Sequence, residues 1–190
     1  MDFDSNITLI ESSHKGKAEA LNKGLKNVKT KYTITIDSDT VLHPLAVQNI
    51  MNKLVNSDEK TAATAGCLFV KNAKKSFITK LQEWDYTLGI FGVKLLQGNY
   101  KSTLVAQGAF SAYKTQMLKE IGGWKNCVGE DIILTWQLLS KGYETNFAKN
   151  AIAYTEVPEK LKDLGKQRKR WARGMIEAFK SVNILKSKKQ

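Results

Sequence analysis

The stretch of residues 32–40 constrains this chain more than any other. Tyr32, Ile34 and Ile36 alternate with Thr33 and Thr35, the period-2 pattern of a β-branched strand. That strand runs directly into Asp37-Ser38-Asp39-Thr40. Residues i and i+2 of an extended chain point to the same side, so Asp37 and Asp39 can address one ligand. Two close carboxylates repel, and a divalent cation between them and an anion relieves the repulsion. Asp, Ser and Thr are also ordinary turn and cap residues, so the pair gains meaning only from the segments that accompany it.

Those segments alternate between strand and helix patterns. Residues 7–10 read as a short apolar strand, and Ala18, Leu21, Leu25 and Val28 recur at helical spacing behind Lys17. A lysine opening a helix is unfavourable for the dipole, and it makes sense beside a bound phosphate. Pro44 suits the first position of a helix whose apolar stripe is Val47, Ile50, Met51, Leu54 and Val55. Residues 61–70 read as a buried strand. A longer helix follows over 77–96, with Phe77, Leu81, Trp84, Leu88, Phe91 and Leu95 on one side and Gly89 and Gly92 interrupting it. Residues 104–113 read as a strand with a central Gly108, where a ligand can approach the backbone. Gly129-Glu130-Asp131 enters a helix with Ile132, Ile133, Trp136 and Leu139 on its buried side and Gly142 at its end. Acids in a first turn are a common answer to the dipole, so Glu130 and Asp131 are ambiguous by themselves. Residues 151–157 form the last strand, closed by Pro158. The alternation predicts an α/β fold with a parallel or mixed sheet and ligands at the strand carboxyl ends.

Charge divides the chain unevenly. From Lys160 onward there are eleven Lys and Arg against Asp163 and Glu177, which leaves +9 of the chain's +12 in this end. A nucleic-acid binder spreads its basic face over the fold, whereas a basic end suits a pyrophosphate or an anionic membrane surface. No apolar run is long enough to cross a bilayer and no secretory leader is apparent. Cys67 and Cys127 fit no metal or redox spacing and read as reduced thiols. Within the basic end, Gln167, Arg170 and Trp171 lie at i, i+3 and i+4 and share a helix face. An amide, a guanidinium and an indole suit a phosphate and a stacked ring. Met175, Ile176, Phe179 and Val182 with their lysines make the continuation amphipathic.

The order Lys-Ala-x-Ala-Leu-Asn from Lys17, Asp-x-Asp at 37–39, Gly-Glu-Asp at 129–131 and Gln-x-x-Arg-Trp at 167–171 resembles the processive family 2 glycosyltransferases, the synthases of cellulose, chitin, hyaluronan and poly-N-acetylglucosamine. The stretch 157–171 is most similar to the bacterial poly-β-1,6-N-acetylglucosamine synthases. The resemblance implies a GT-A-type, Rossmann-like mixed sheet flanked by helices. It implies a partial catalytic domain over residues 1–159 and a basic, acceptor-side and membrane-proximal helical segment over 160–190. By the same resemblance Lys17, Asp37, Asp39 and Arg170 bind a UDP-sugar donor, and Asp39 ligates Mg²⁺ or Mn²⁺. Asp131 is the general base, with Glu130 beside it. Gln107, Phe110, Ser111, Trp136, Gln167 and Trp171 line the site of a polysaccharide acceptor. One base suffices for inverting transfer, because a single displacement at the sugar C1 needs no protein nucleophile.

Two family features fall outside this sequence. In the family, two strands carrying the uracil-binding carboxylates precede residues 7–10, and membrane helices follow the Gln-x-x-Arg-Trp helix. The third motif also reads Gly-Glu-Asp where many relatives have Thr-Glu-Asp. The sequence therefore reads as a fragment of a synthase working at the cytoplasmic face of the cell membrane, itself soluble, and held to the membrane through parts it lacks. Its open sheet edge is expected to be completed by another chain or to pair copies. The rival expectations are an inactive domain that partners a complete synthase, and a charge-driven binder of nucleic acid or lipid.

Overall fold

The computed structural model describes residues 7–11 and 15–182. His14, which precedes the lysine-rich start of the first motif, and the basic tail 183–190 lie outside the described residues. Helix α1 spans Lys17–Asn27 and enters the edge strand β1, Tyr32–Ile36. The two-residue strand β2, Val41–Leu42, and helix α2, Ala46–Val55, lead to the long strand β3, Thr61–Val70. Helix α3, Phe77–Asp85, passes through a π-helical turn at Tyr86–Gly92 into α4, Val93–Asn99. Then follow β4 (Phe110–Lys114), α5 (Thr115–Glu120), α6 (Glu130–Ser140), β5 (Glu144–Thr155) and α7 (Leu161–Ser181).

The five strands form one sheet in the order β1-β4-β3-β5-β2. Only β3 and β5 pair in parallel; β1 with β4, β4 with β3 and β2 with β5 are antiparallel. The mixed sheet expected from the sequence is therefore present. All but one residue of β3 is buried, as expected for a central strand covered on both faces. One apolar cluster packs α2 (Ala46, Ile50, Leu54) against the sheet, and another packs α1 and α6 through Leu25, Trp124, Leu134 and Leu138. Gly66 on β3 is required by its neighbour: a Cβ there would lie 2.2 Å from the Phe110 ring on β4.

Several expectations change. Residues 7–11 have no regular structure, and Ile7 and Leu9 are exposed, because no described strand offers them a partner. Helix α2 starts at Ala46 after an N-cap at Leu45, so Pro44 lies before the helix; Val47 and Val55 face solvent while Ala46 joins the buried stripe. Residues 104–109, read as strand, instead form an irregular strap ahead of β4. The largest departure is in α3. Phe77 (74%), Trp84 (61%) and Leu88 (66%) are exposed, and Leu81 with them, while Thr79, Gln82, Tyr86 and Lys94 are buried. The π turn adds a residue to the helical repeat and shifts the face presented to the sheet, so that Phe91 packs on Phe69 and Phe147.

Candidate active site

The sequence motifs meet where β1, the strap and the first turns of α1 and α6 come together. Lys17 is the first residue of α1, behind Gly16 at φ 99°, a conformation that favours glycine. Its Nζ lies 2.5 Å from Asp37 Oδ1 and 3.6 Å from Glu130 Oε1. Asp37 leaves β1 at the carboxyl end, and its backbone N–H donates to the Ala109 carbonyl of the strap (3.2 Å). Glu130 and Asp131 are the first two residues of α6, capped by Gly129 at φ 78°. One Asp131 oxygen accepts from the Gly108 N–H (3.2 Å) and the other from the Ile132 N–H (2.8 Å). Gly108 lies against the Lys17 side chain: a Cβ at 108 would sit 2.7 Å from Lys17 Nζ. Four segments far apart in sequence thus share one set of contacts.

Charge follows the geometry. Burial depresses the Lys17 ammonium, but the hydrogen bond and charge of Asp37, with Glu130 and Asp131 behind, outweigh it and raise its pKa above the ordinary lysine value. Burial, and then the charge of Asp131, push the Glu130 carboxyl up, with Lys17 pulling the other way.

Helix α7 closes the second side. It meets the start of α6 backbone to backbone, since a Cβ on Gly129 would lie 2.8 Å from the Gly174 Cα. The Val128 N–H donates to Glu177 (3.0 Å) and holds the same crossing. Trp171 packs against the cluster that contains Tyr86 and the strap residue Ala109. The Arg168 guanidinium lies over the Trp171 ring at 4.4 Å and pairs with Asp85 at 2.5 Å. Burial raises the Tyr86 phenol, with the Arg168 charge opposing the shift and those of Asp85 and Asp39 adding to it. Gln167 is half-buried, and its Oε1 is buried with no hydrogen-bond partner, a group that a ligand donor would satisfy. Arg170 and Asp39 are exposed.

Three acceptor-side expectations are corrected. Phe110 and Ser111 are fully buried, and the Ser111 hydroxyl donates to the Gln107 carbonyl. Trp136 is 3% exposed, donates its indole N–H to the Leu104 carbonyl and stacks edge-on with Phe179. These side chains support the wall from behind and offer a sugar no surface. Gln107 is also buried, with its amide spent on the Gly66 carbonyl (2.7 Å). The sequence reading missed Tyr86, Lys94, Thr135, Arg168 and the Gly129–Gly174 crossing. Lys94 carried a signal: it is the one charged residue between Asp85 and Lys101.

The donor set suits a hard divalent cation in a particular way. Among the described residues no group of three or more His, Cys, Asp or Glu could enclose a metal. Asp37 is already paired with Lys17, which leaves Asp39, at an exposed strand end, as the free carboxylate. A cation held by one or two carboxylates and otherwise by substrate phosphates matches that arrangement.

Residues 2–174 match the family model described as "Glycosyltransferase like family 2". The chain is 32% identical over 167 residues to the poly-β-1,6-N-acetyl-D-glucosamine synthase of Staphylococcus epidermidis, covering 87% of this chain and 40% of that protein. The Staphylococcus aureus synthase of the same name gives the same identity and coverage. The chain thus spans about 40% of the length of these curated relatives. Among solved structures, the mannosyltransferase PcManGT from Pyrobaculum calidifontis, in complex with GDP-Man and Mn²⁺, has a TM-score of 0.66 at 19% identity, over 91% of this chain and 46% of that one. Glucosyl-3-phosphoglycerate synthase from Mycobacterium tuberculosis, with Mn²⁺, UDP and phosphoglyceric acid, has a TM-score of 0.55 at 17% identity, over 86% and 54%. These likenesses support the GT-A fold. With a mixed sheet ending in an Asp-x-Asp cleft and a family match over nearly the whole sequence, this chain belongs to the family 2 glycosyltransferases.

Proposed function

We propose that the chain carries the transfer site of a polysaccharide synthase, which moves N-acetylglucosamine from a UDP-sugar to the hydroxyl end of a growing β-linked chain. The observation that carries this reading is the convergence of Lys17, Asp37, Glu130 and Asp131 through the Lys17 pairs and the strap. Lys17, at a helix N-terminus with free backbone N–H groups, faces the donor diphosphate and gives up its pairing with Asp37 to do so. Asp37 then holds the nucleotide. Asp39 would hold Mg²⁺ or Mn²⁺ on the diphosphate, which on binding neutralises charge developing on the leaving group. Asp131, fixed by two backbone N–H donors, accepts the proton of the acceptor hydroxyl. That oxygen bonds to the sugar C1 while the C1–O bond to the diphosphate breaks. The electron pair leaves with UDP, beside Lys17 and Arg170. Trp171, with one ring face taken by Arg168, offers the other to the acceptor sugar, and the unpartnered Gln167 Oε1 accepts from one of its hydroxyls.

The membrane enters the same reading through α3 and α7. No described helix is long and apolar enough to cross a bilayer. Helix α3 lies beside the first half of α7: Ser76 and Lys75 ahead of α3 meet Glu159 ahead of α7, and Asp85 at the end of α3 pairs with Arg168. Exposed Phe77, Leu81, Trp84 and Leu88 therefore sit near exposed Lys162, Lys166 and Lys169, a combination suited to an anionic lipid surface.

The decisive test is UDP release from UDP-N-acetylglucosamine with Mn²⁺ and an N-acetylglucosamine oligomer, with UDP binding followed by titration calorimetry. Asp131→Asn is expected to lower turnover by about 10²- to 10⁴-fold with UDP binding kept. Unchanged turnover removes Asp131 from the role. Absence of UDP binding by the unsubstituted chain favours the inactive-partner reading instead.

A further inference from the structure

We propose that Lys94 is a positioning residue of this site: a buried cation behind the strap that fixes the backbone carrying Asp131's hydrogen-bond donor and is electrostatically coupled to Asp131 itself. The proposal rests on the reading of Asp131 as the general base and adds a group that touches neither sugar.

Lys94 lies on α4 with 7% of its surface exposed, where an ammonium has no ordinary reason to be. Its Nζ donates to the Val105 carbonyl of the strap. The strap has few backbone partners of its own and is tied down by side chains along its length. The Leu104 carbonyl accepts from Trp136, the Ala106 N–H donates to Thr135 Oγ1 (2.9 Å), and Gln107 donates to Gly66. Thr135 in turn donates to the Asp131 carbonyl (2.7 Å). Two residues beyond Ala106, the Gly108 N–H reaches the Asp131 carboxylate. Lys94 is the charged member of this set. Removing its donor leaves a buried carbonyl unpaired in the segment that aims Asp131.

The titratable groups that act on Lys94 are Asp131 on α6 and the Cys67 thiol on β3, which burial pushes up to about 12 and so keeps neutral. Burial lowers the Lys94 pKa to about 8, with Asp131 opposing the drop. A buried ammonium of this kind costs stability, and a residue kept solely for packing would be apolar there. Lys17 pairs with Glu130 at 3.6 Å, and Lys94 is coupled to Asp131, so each member of the acidic pair has its own cation. A positive charge near the carboxylate keeps it ionised and ready to accept a proton, while the Val105 contact holds the strap that aims it.

The test begins without activity. In the 190-residue chain carrying ¹³Cε-labelled lysine, the Lys94 resonance, assigned by its loss in Lys94→Met, should titrate near pH 8. In Asp131→Asn its midpoint should fall by about one pH unit, because the opposing negative charge has gone. A Lys94 that titrates at the ordinary lysine value, or a midpoint that Asp131→Asn leaves in place, overturns the proposal, and neither measurement needs a folded Lys94 variant beyond assignment. In the transfer assay, Lys94→Met should lower kcat about tenfold, less than the about 10²- to 10³-fold loss on deleting a direct electrostatic donor, with KM for the UDP-sugar unchanged. Equal kcat at equal folded fraction refutes the positioning role. Normal turnover in Asp131→Asn would instead strike the base assignment and leave the titration result to judge the coupling.

Discussion

Lys94 also sets a pH dependence of stability whose sign is unusual for a basic protein. Its folded pKa, about 8, lies below the ordinary 10.5, so between these values the unfolded chain binds more protons than the folded one. Its contribution to stability therefore rises with pH across that window, by about 3 kcal/mol in all at 1.36 kcal/mol per unit. Urea midpoints measured from pH 7.5 to 10 should rise for the unsubstituted chain relative to Lys94→Met; parallel curves would contradict this. Lys17 does not confuse the result, since its pKa is raised and its contribution is lost only above the ordinary lysine value. Gly129 makes a second residue-level case. Its φ of 78° and the 2.8 Å approach of a Cβ to the Gly174 backbone both reject a side chain. Gly129→Ala should cost about 1–3 kcal/mol in chemical denaturation, with at most a small effect for Gly142→Ala beyond its own strain, since nothing lies near a Cβ there.

At the scale of elements, the exposed side of α3 separates two explanations of its apolar residues. If Phe77, Leu81 and Trp84 served the core, Leu81→Lys with Trp84→Lys would unfold the chain. Because they face solvent, the pair should leave the unfolding free energy in urea within about 0.5 kcal/mol and abolish sedimentation with anionic phospholipid vesicles. Retained vesicle binding would remove α3 from the membrane reading. This helix also shows why the sequence was only partly legible. Period located α1, β1 and α6, a continuous run of small and apolar residues located the fully covered β3, and Gly142 at φ 84° ended α6 as expected. The same reasoning found the apolar stripe of α3 but not what covers it, since hydropathy reports what avoids water and not which partner it meets. The π turn then broke the register, a feature that spacing cannot forecast. Asp37, Asp131 and Lys17 were readable from motif order. Phe110, Ser111 and Trp136 were misplaced because motif order brings a segment near the site without saying which side chains are covered: β4 is buried on both faces, and Trp136 sits on the buried side of α6.

For the whole molecule, β1 is the edge of the sheet among the described residues, pairing with β4 alone. Thr33 and Thr35 there carry little charge to discourage a further strand. Analytical ultracentrifugation of the isolated chain should show concentration-dependent association, suppressed by Tyr32→Pro, which removes an edge N–H; a monomer at all concentrations would refute this. The crossing of Gly129 and Gly174 reaches further than either residue. One glycine precedes the proposed proton acceptor and the other follows the indole proposed to seat the sugar, so the spacing between chemistry and grip is set where two main chains touch with nothing between them. Side chains elsewhere can drift and repack, whereas this joint has no slack to trade. Substitutions that thicken it would open the jaw and release the polymer end before any reacting group had changed.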